Sequence, residues 1–167
     1  EVKIVAHGCF VSTANVFDLL SCYDLIVDAT DNFASRYMIS DACHLMNKPL
    51  VYGAVSCYEG QVGVFNFNPN GFASNYRDLF PVPPAPGEAN SCTAEGVLGV
   101  LPGIIGLMQA NEVIKILAGV GIPLINKLFT IDISDYRTLE MEVSPGVHSG
   151  MPGSVEEFMR FDYDSFC

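Results

Sequence analysis

Apolar residues in this chain first come in short continuous runs, then in alternation, and then at helical spacing. Val2-Lys3-Ile4-Val5-Ala6 reads as a short strand and Phe17 to Ser21 as a short helix. Leu25-Ile26-Val27 is an unbroken apolar run followed by Asp28-Ala29-Thr30-Asp31-Asn32, the form of a parallel strand covered on both faces. From Phe33 to Met46, residues Phe33, Tyr37, Ala42 and Leu45 or Met46 recur at near-helical spacing, with Asp31 or Asn32 as the N-cap. Leu50-Val51-Tyr52 is the next strand. Strand, helix and strand in this order make a βαβ unit.

Beyond this unit the period changes. Gln61 to Phe67 alternates, and Pro69-Asn70-Gly71 supplies a turn. Ser74 to Ser91 reads as a long loop punctuated by Pro81, Pro83, Pro84, Pro86 and Gly87; loops of this length inside a compact domain are uncommon and often functional. Gly96 to Leu117 is a long apolar helical segment, expected to bend near Pro102-Gly103 and to end at Gly119 and Gly121. Lys127 to Ile133 and Arg137 to Val143 read as two strands joined by a turn around Ser134-Asp135. Ser144 to Gly153 is rich in Gly, Pro and Ser and reads as a loose arm leading to Phe161-Asp162-Tyr163.

Composition narrows the function. Nineteen acidic residues against eight basic ones give a net charge of −11 over 167 residues. Nucleic acids and anionic membrane surfaces need clustered Lys and Arg, so both are excluded as expected partners. A membrane span needs roughly 20 continuous apolar residues, and the Gly96–Ala110 run is shorter and interrupted by Pro102. No basic segment followed by an apolar run opens the sequence. The cysteines (Cys9, Cys22, Cys43, Cys57, Cys92 and Cys167) form no C-x-x-C pair and read as free thiols, which together imply a cytoplasmic protein.

Two segments carry candidate chemistry. Asp31 and Asn32 stand at the C-terminal end of a buried strand, where open α/β sheets bind ligands. A carboxylate there can hold Mg²⁺ beside the phosphates of ATP; the plain alternative is that both residues cap the next helix. Arg36, a helical turn later, is near enough to assist an anion or is simply a solvated surface arginine. The second segment is Ser91-Cys92-Thr93-Ala94-Glu95-Gly96, between the proline-rich loop and a helix. A thiol at a helix N-terminus is more acidic than usual, whereas Glu95 pushes the other way and most free cysteines are small buried hydrophobes. His7, His44 and His148 are scattered without metal-ligand spacing.

Taken in order, these segments resemble the ThiF/MoeB/HesA family. Asp28-Ala29-Thr30-Asp31-Asn32-Phe33 with Arg36-Tyr37 is similar to its D-x-T-D-N segment, and Lys48-Pro49-Leu50-Val51 and Glu59-Gly60-Gln61 to its K-P-L-V and E-G-Q motifs. Tyr76-Arg77-Asp78-Leu79-Phe80-Pro81, Ser91-Cys92, Glu95-Gly96-Val97-Leu98-Gly99 and Gln109-Ala110-Asn111-Glu112-Val113-Ile114-Lys115 follow in register. The resemblance covers roughly residues 1 to 143. It implies an α/β fold, the C-terminal part of a doubly wound Rossmann-like sheet with added antiparallel strands, with 144–167 a loosely structured arm.

The resemblance further implies an adenylyltransferase that uses ATP and Mg²⁺ to activate the C-terminal glycine of a ubiquitin-like sulfur-carrier protein of the MoaD or ThiS type, in a homodimer. It places Asp31 as the Mg-ATP aspartate, Asn32 and Arg36 in the ATP site, and Cys92 where some members form a thioester or sulfur-bridged intermediate. The chain departs from the family pattern in two respects. No G-x-G-x-x-G phosphate loop occurs, which suggests a C-terminal half whose nucleotide-binding N-terminal half is missing. The zinc-binding C-x-x-C pairs of many members are replaced by Asn75-Tyr76-Arg77-Asp78 and by the stretch near Pro145-Gly146-Val147-His148, so no zinc is expected. The alternatives are a non-catalytic carrier-binding or dimerisation module, and, well below it, half of an NAD(P)-dependent dehydrogenase.

Overall fold

The βαβ unit sets the frame of the structure, a computed structural model that describes residues 2–83, 96–146, 148 and 150–166. Helix α1 (Val16–Ser21) precedes β1 (Ile26–Asp28), α2 (Phe33–Leu45) and β2 (Leu50–Ser56), and β1 and β2 pair in parallel. The chain then turns back through β3 (Glu59–Phe65), antiparallel to β2, into the short helix α3 (Tyr76–Leu79). The long helix α4 (Leu101–Ala118), β4 (Lys127–Asp132), β5 (Arg137–Glu142), α5 (Val155–Arg160) and a 3₁₀ turn (Asp164–Phe166) complete it. The strands lie in chain order, β1-β2-β3-β4-β5, with one parallel pair followed by an antiparallel meander.

The period of two along β2 divides the core. Leu50, Tyr52 and Ala54 face a cluster with Tyr37, Met38 and Ala42 of α2, whereas Gly53 and Val55 face α4. Two glycines let α4 lie close on this second face. A Cβ on Gly53 would stand 2.4 Å from the Gln109 side chain, and one on Gly60 would stand 2.3 Å from Ile105. Helices thus cover both faces of the central strands, which is the doubly wound arrangement. By length and composition α4 is apolar enough to cross a membrane. It nevertheless buries polar Gln109 and Glu112 against this protein: Glu112 accepts from Leu124 N (2.8 Å) and pairs with Lys115 (2.6 Å).

Several elements differ from the sequence expectation, each for a local reason. Val2 to Ala6 is not a strand; Val2 and Ile4 are largely exposed, and isolated extended backbone without a ladder partner has little stability. β1 is not covered on both faces, since Val27 is 47% exposed. The 74–83 stretch is not all loop. Asn75 accepts from Arg77 N and Asp78 accepts from Asn75 N, a capping box that starts α3. Pro102 does not bend α4: the helix begins at Leu101, and a proline in the first turn loses no intrahelical hydrogen bond. Gly119 ends it in the left-handed region (φ 64°).

The described residues of the C-terminal arm include a helix and dock on the core. Ser154 caps α5, and Phe158 and Tyr163 are buried in the α2-side core with Val16 and Tyr37. Glycine and proline content obscured this because the anchors are aromatic residues beyond the Gly/Pro stretch. The deepest anchor is electrostatic. Arg77 of α3 makes a two-pronged ion pair with Asp41 of α2 (2.9 and 2.7 Å), with both side chains at most 2% exposed. Tyr163 donates to Asp41 from the tail (2.7 Å), and the Arg77 guanidinium lies 4.8 Å from the Tyr37 ring centre and 5.5 Å from that of Phe161. Burial, and next the Asp41 carboxylate, raise the Tyr163 hydroxyl well above its ordinary pKa, so it stays a donor.

Removing one partner of such a pair leaves a buried, uncompensated charge. We expect Arg77→Ala to lose about 3–5 kcal/mol of stability and Tyr163→Phe about 1.5–3 kcal/mol. Urea denaturation measures both, and an Arg77→Ala loss under about 1 kcal/mol would contradict the role given to the pair.

Candidate functional site

The site is a turn at the C-terminal end of β1. Parallel strands present their carbonyl ends at one edge of a sheet, and the chain there must turn into α2. Asp28, the last residue of β1, is buried (2% exposed). Its Oδ1 accepts from both Thr30 N (2.8 Å) and Thr30 Oγ1 (2.7 Å), which folds the turn back on the strand. The Thr30 carbonyl accepts from Arg36 Nε (3.1 Å) and Nη2 (2.8 Å). The Asp28 carbonyl accepts from Gln109 Nε2 of α4 (2.7 Å).

Asp31 follows this clamped turn and is exposed. Asn32 caps α2 by accepting from Ser35 N (2.8 Å), so the cap is Asn32 and Asp31 is left free of that duty. Asn32 Nδ2 also donates to Asp31 Oδ1 (3.3 Å). Arg36 is not a solvated surface residue: it is buried, lies 5.7 Å from the Tyr52 ring centre and 5.9 Å from that of Phe33, and directs part of its hydrogen-bonding capacity to Thr30.

Asp31 and Arg36 line one open pocket of about 100 Å³ with Thr30, Gly53, Pro102 and Gln109. Small-molecule sites commonly enclose about 300–1,000 Å³, so this is the floor of a site rather than a whole one. A larger groove of about 360 Å³ lies by β4 and β5, but its charges answer one another: Arg137 pairs with Asp135 at 2.6 Å and approaches Asp132 at 3.6 Å. Cys92, the other candidate, lies outside the described residues. Cys43 is buried, and burial pushes its thiol up to about 12, which makes it inert; Cys22 ends α1 and is exposed, as is Cys9.

The two stretches that replace the family's zinc-binding pairs do meet in space. Asp78 Oδ1 accepts from Gly146 N (2.6 Å) and from the His148 ring Nε2 (2.7 Å), while its Oδ2 accepts from Asn75 N (2.7 Å). A carboxylate already spent on three donors, with one imidazole and no thiolate, does not fit a four-ligand zinc. Direct hydrogen bonds join the segments instead. Among the described residues no three His, Cys, Asp or Glu side chains gather as a metal site.

Sequence reasoning placed Asp31, Asn32 and Arg36 in one neighbourhood, and the structure brings them together. It missed Asp28 and Gln109. An acid two residues before a threonine at a strand end, and a buried amide on an apolar helix, were the available signals.

Comparison with known proteins places the chain in a family. The model of the ThiF family matches residues 1–149. The chain is 42% identical over 171 residues to the adenylyltransferase and sulfurtransferase MOCS3-2 of Zea mays, covering 99% of this chain and 35% of that protein. It is 39% identical over 171 residues to the sulfur carrier protein adenylyltransferase of Thermus thermophilus, covering 99% of this chain and 62% of that protein. The chain thus spans about a third to three-fifths of the length of these relatives. Among solved structures, MccB of E. coli superposes with a TM-score of 0.63 at 16% identity, over 83% of this chain and 42% of that one, a likeness of fold.

Burial raises the Asp28 carboxyl above the ordinary carboxylate range, against the opposing pull of Thr30 and Arg36. An acid with a raised folded pKa stabilises below its unfolded value of about 3.9 and loses that contribution as pH rises through the folded value. Asn keeps the acceptor without the charge. Asp28→Asn should therefore gain stability relative to the wild type as pH rises from about 3 to about 7, read by thermal unfolding. A stability difference that shifts in favour of the wild type over that range would contradict the burial account.

Proposed function

The chain belongs to the ThiF family, and we propose that it forms part of an enzyme that adenylates the C-terminal glycine of a ubiquitin-like sulfur-carrier protein. The observation that carries this reading is the exposed Asp31, held at the carbonyl end of β1 over a pocket that also takes in Arg36. The names of the relatives, adenylyltransferases with sulfurtransferase or sulfur-carrier descriptions, support it.

In the proposed reaction the carrier's terminal carboxylate attacks the α-phosphate of ATP, giving an acyl-adenylate and pyrophosphate. Charge accumulates on the transferring phosphoryl group, and Mg²⁺ with fixed cationic groups stabilises it. Asp31 would hold the ion, with Asn32 orienting its carboxylate through the 3.3 Å contact. Arg36 adds positive charge beneath the pocket while its hydrogen bonds hold Thr30. The small pocket supplies the phosphate end of the site, and the rest of a nucleotide needs further protein surface. The product would serve sulfur transfer for molybdopterin, thiamin or tRNA thiolation. A homodimer belongs to the same proposal; the exposed Leu107, Ile114 and Leu117 of α4 support an assembly that covers them.

Because Asn32 is the helix cap, Asp31→Asn should change stability by less than about 0.5 kcal/mol. Carrier-dependent exchange of pyrophosphate into ATP by the full-length gene product should fall by about 10²–10³-fold. Undiminished exchange at ordinary magnesium would overturn the reading.

We assign Cys92 the transfer step after adenylation. Its thiolate would attack the acyl carbonyl and expel AMP, leaving the carrier as a thioester. Cys92→Ala is expected to keep acyl-adenylate formation and to lose both sulfur transfer and the thiol-labile thioester adduct with the carrier. Sulfur transfer at the wild-type rate in this variant would remove Cys92 from the mechanism.

A further inference from the structure

The turn before Asp31 is held more firmly than a strand-to-helix connection requires. Both hydrogen-bonding groups that Thr30 directs inward, its N–H and its hydroxyl, end on one oxygen of Asp28. Its carbonyl takes two donors from Arg36. One residue back, the Asp28 carbonyl is held by Gln109, whose side-chain amide also reaches the Val51 carbonyl at 3.4 Å. Gln109 bridges the C-terminal end of β1 and the start of β2 from α4, and Gly53 leaves the room for it. These clamps have a cost: Asp28 buries an ionisable carboxyl group on the last residue of a three-residue strand. A neutral acceptor could accept the same two hydrogen bonds from Thr30 without burying an ionisable group. All three clamps converge on the backbone immediately before Asp31, and Asp31 is the exposed acidic residue of that turn.

We propose that Asp28 and Gln109 are positioning residues for Asp31: Asp28 by gripping Thr30 and Gln109 by gripping the Asp28 carbonyl, they fix where the Asp31 carboxylate stands over the pocket. This rests on the adenylation reading, in which Asp31 meets the metal and phosphates. Neither residue is a catalytic group. Asp28 is not part of the pocket lining, and the Gln109 amide is turned to strand carbonyls. Carboxylate placement matters because hard cations accept a narrow range of metal–oxygen distances, and a displacement of about 1 Å costs on the order of a hundredfold in rate.

The test is a double-mutant cycle in the full-length gene product, read by carrier-dependent pyrophosphate exchange. Asp28→Ala and Gln109→Leu are each expected to lower exchange by roughly ten- to a hundredfold. In an Asp31→Asn background they should lower it little further, because they act through Asp31. Asp28→Asn keeps the acceptor oxygen and should restore most of the rate; rescue by an uncharged side chain also separates positioning from direct metal binding by Asp28. Hydrogen–deuterium exchange at the Thr30 amide is the second readout, independent of activity: protection should be lost in Asp28→Ala and kept in Asp28→Asn. Equal losses in both Asp31 backgrounds, failure of Asp28→Asn to rescue, or a Thr30 amide still protected in Asp28→Ala would each overturn the proposal. If Asp31→Asn alone leaves exchange intact, the adenylation reading fails, and the positioning role fails with it.

Discussion

The buried ion pair between Asp41 and Arg77 is the constraint on which the α2 side of the molecule depends. It joins the middle of α2 to α3, and through Tyr163 it reaches the C-terminal segment more than a hundred residues along the chain. A buried pair stabilises little relative to an apolar substitute, but it tolerates only one geometry. The aromatic rings of Tyr37 and Phe161 flank the guanidinium, and Tyr76, Tyr52 and Phe65 continue the packing onto the sheet. α2 is therefore fixed along its length, and its N-terminus, with Asn32 and Arg36, is fixed with it. On the opposite face α4 reaches the sheet through Gly53 and Gly60 and delivers Gln109 to the end of β1 and the start of β2. The site turn lies where these two halves of the packing meet.

That arrangement accounts for the division of labour at the turn. Asp31 and Asn32 are adjacent and chemically alike, yet one caps a helix and the other is free. Asn32 has the extended backbone of an N-cap and a side chain committed to Ser35. Among the described residues Asp31 has a long contact from Asn32, and it is exposed at the pocket rim. An exposed carboxylate that does not cap the helix, held by neighbours that are costly to bury, is a pattern expected of a functional group rather than a structural one.

Much of this was legible in the sequence because the signals were local. The apolar run at Leu25–Val27, the helical spacing from Phe33 and the alternation after Gln61 each depend on a few adjacent residues, and their elements stand where the pattern put them. What was not legible depended on distant partners. Arg36 looks like any helical arginine until Tyr52 and the Thr30 carbonyl close over it. Pro102 reads as a kink unless the helix is known to start at Leu101. The Gly/Pro-rich tail concealed Phe158 and Tyr163, whose burial depends on contacts with α1 and α2. The hydrogen bonds of Asp78 with Gly146 and His148 likewise need two segments some seventy residues apart to be placed together.

The central claim is that the Asp31 carboxylate, fixed by its turn, is the ligand that holds the metal of Mg-ATP at the end of β1. The most direct test is a crystal structure of the full-length gene product with Mn²⁺ and a non-hydrolysable ATP analogue, with the metal located by anomalous scattering. The account predicts a peak about 2.0–2.2 Å from an Asp31 carboxylate oxygen, bridging to the phosphates. A metal and triphosphate bound elsewhere, with Asp31 left in solvent, would contradict it.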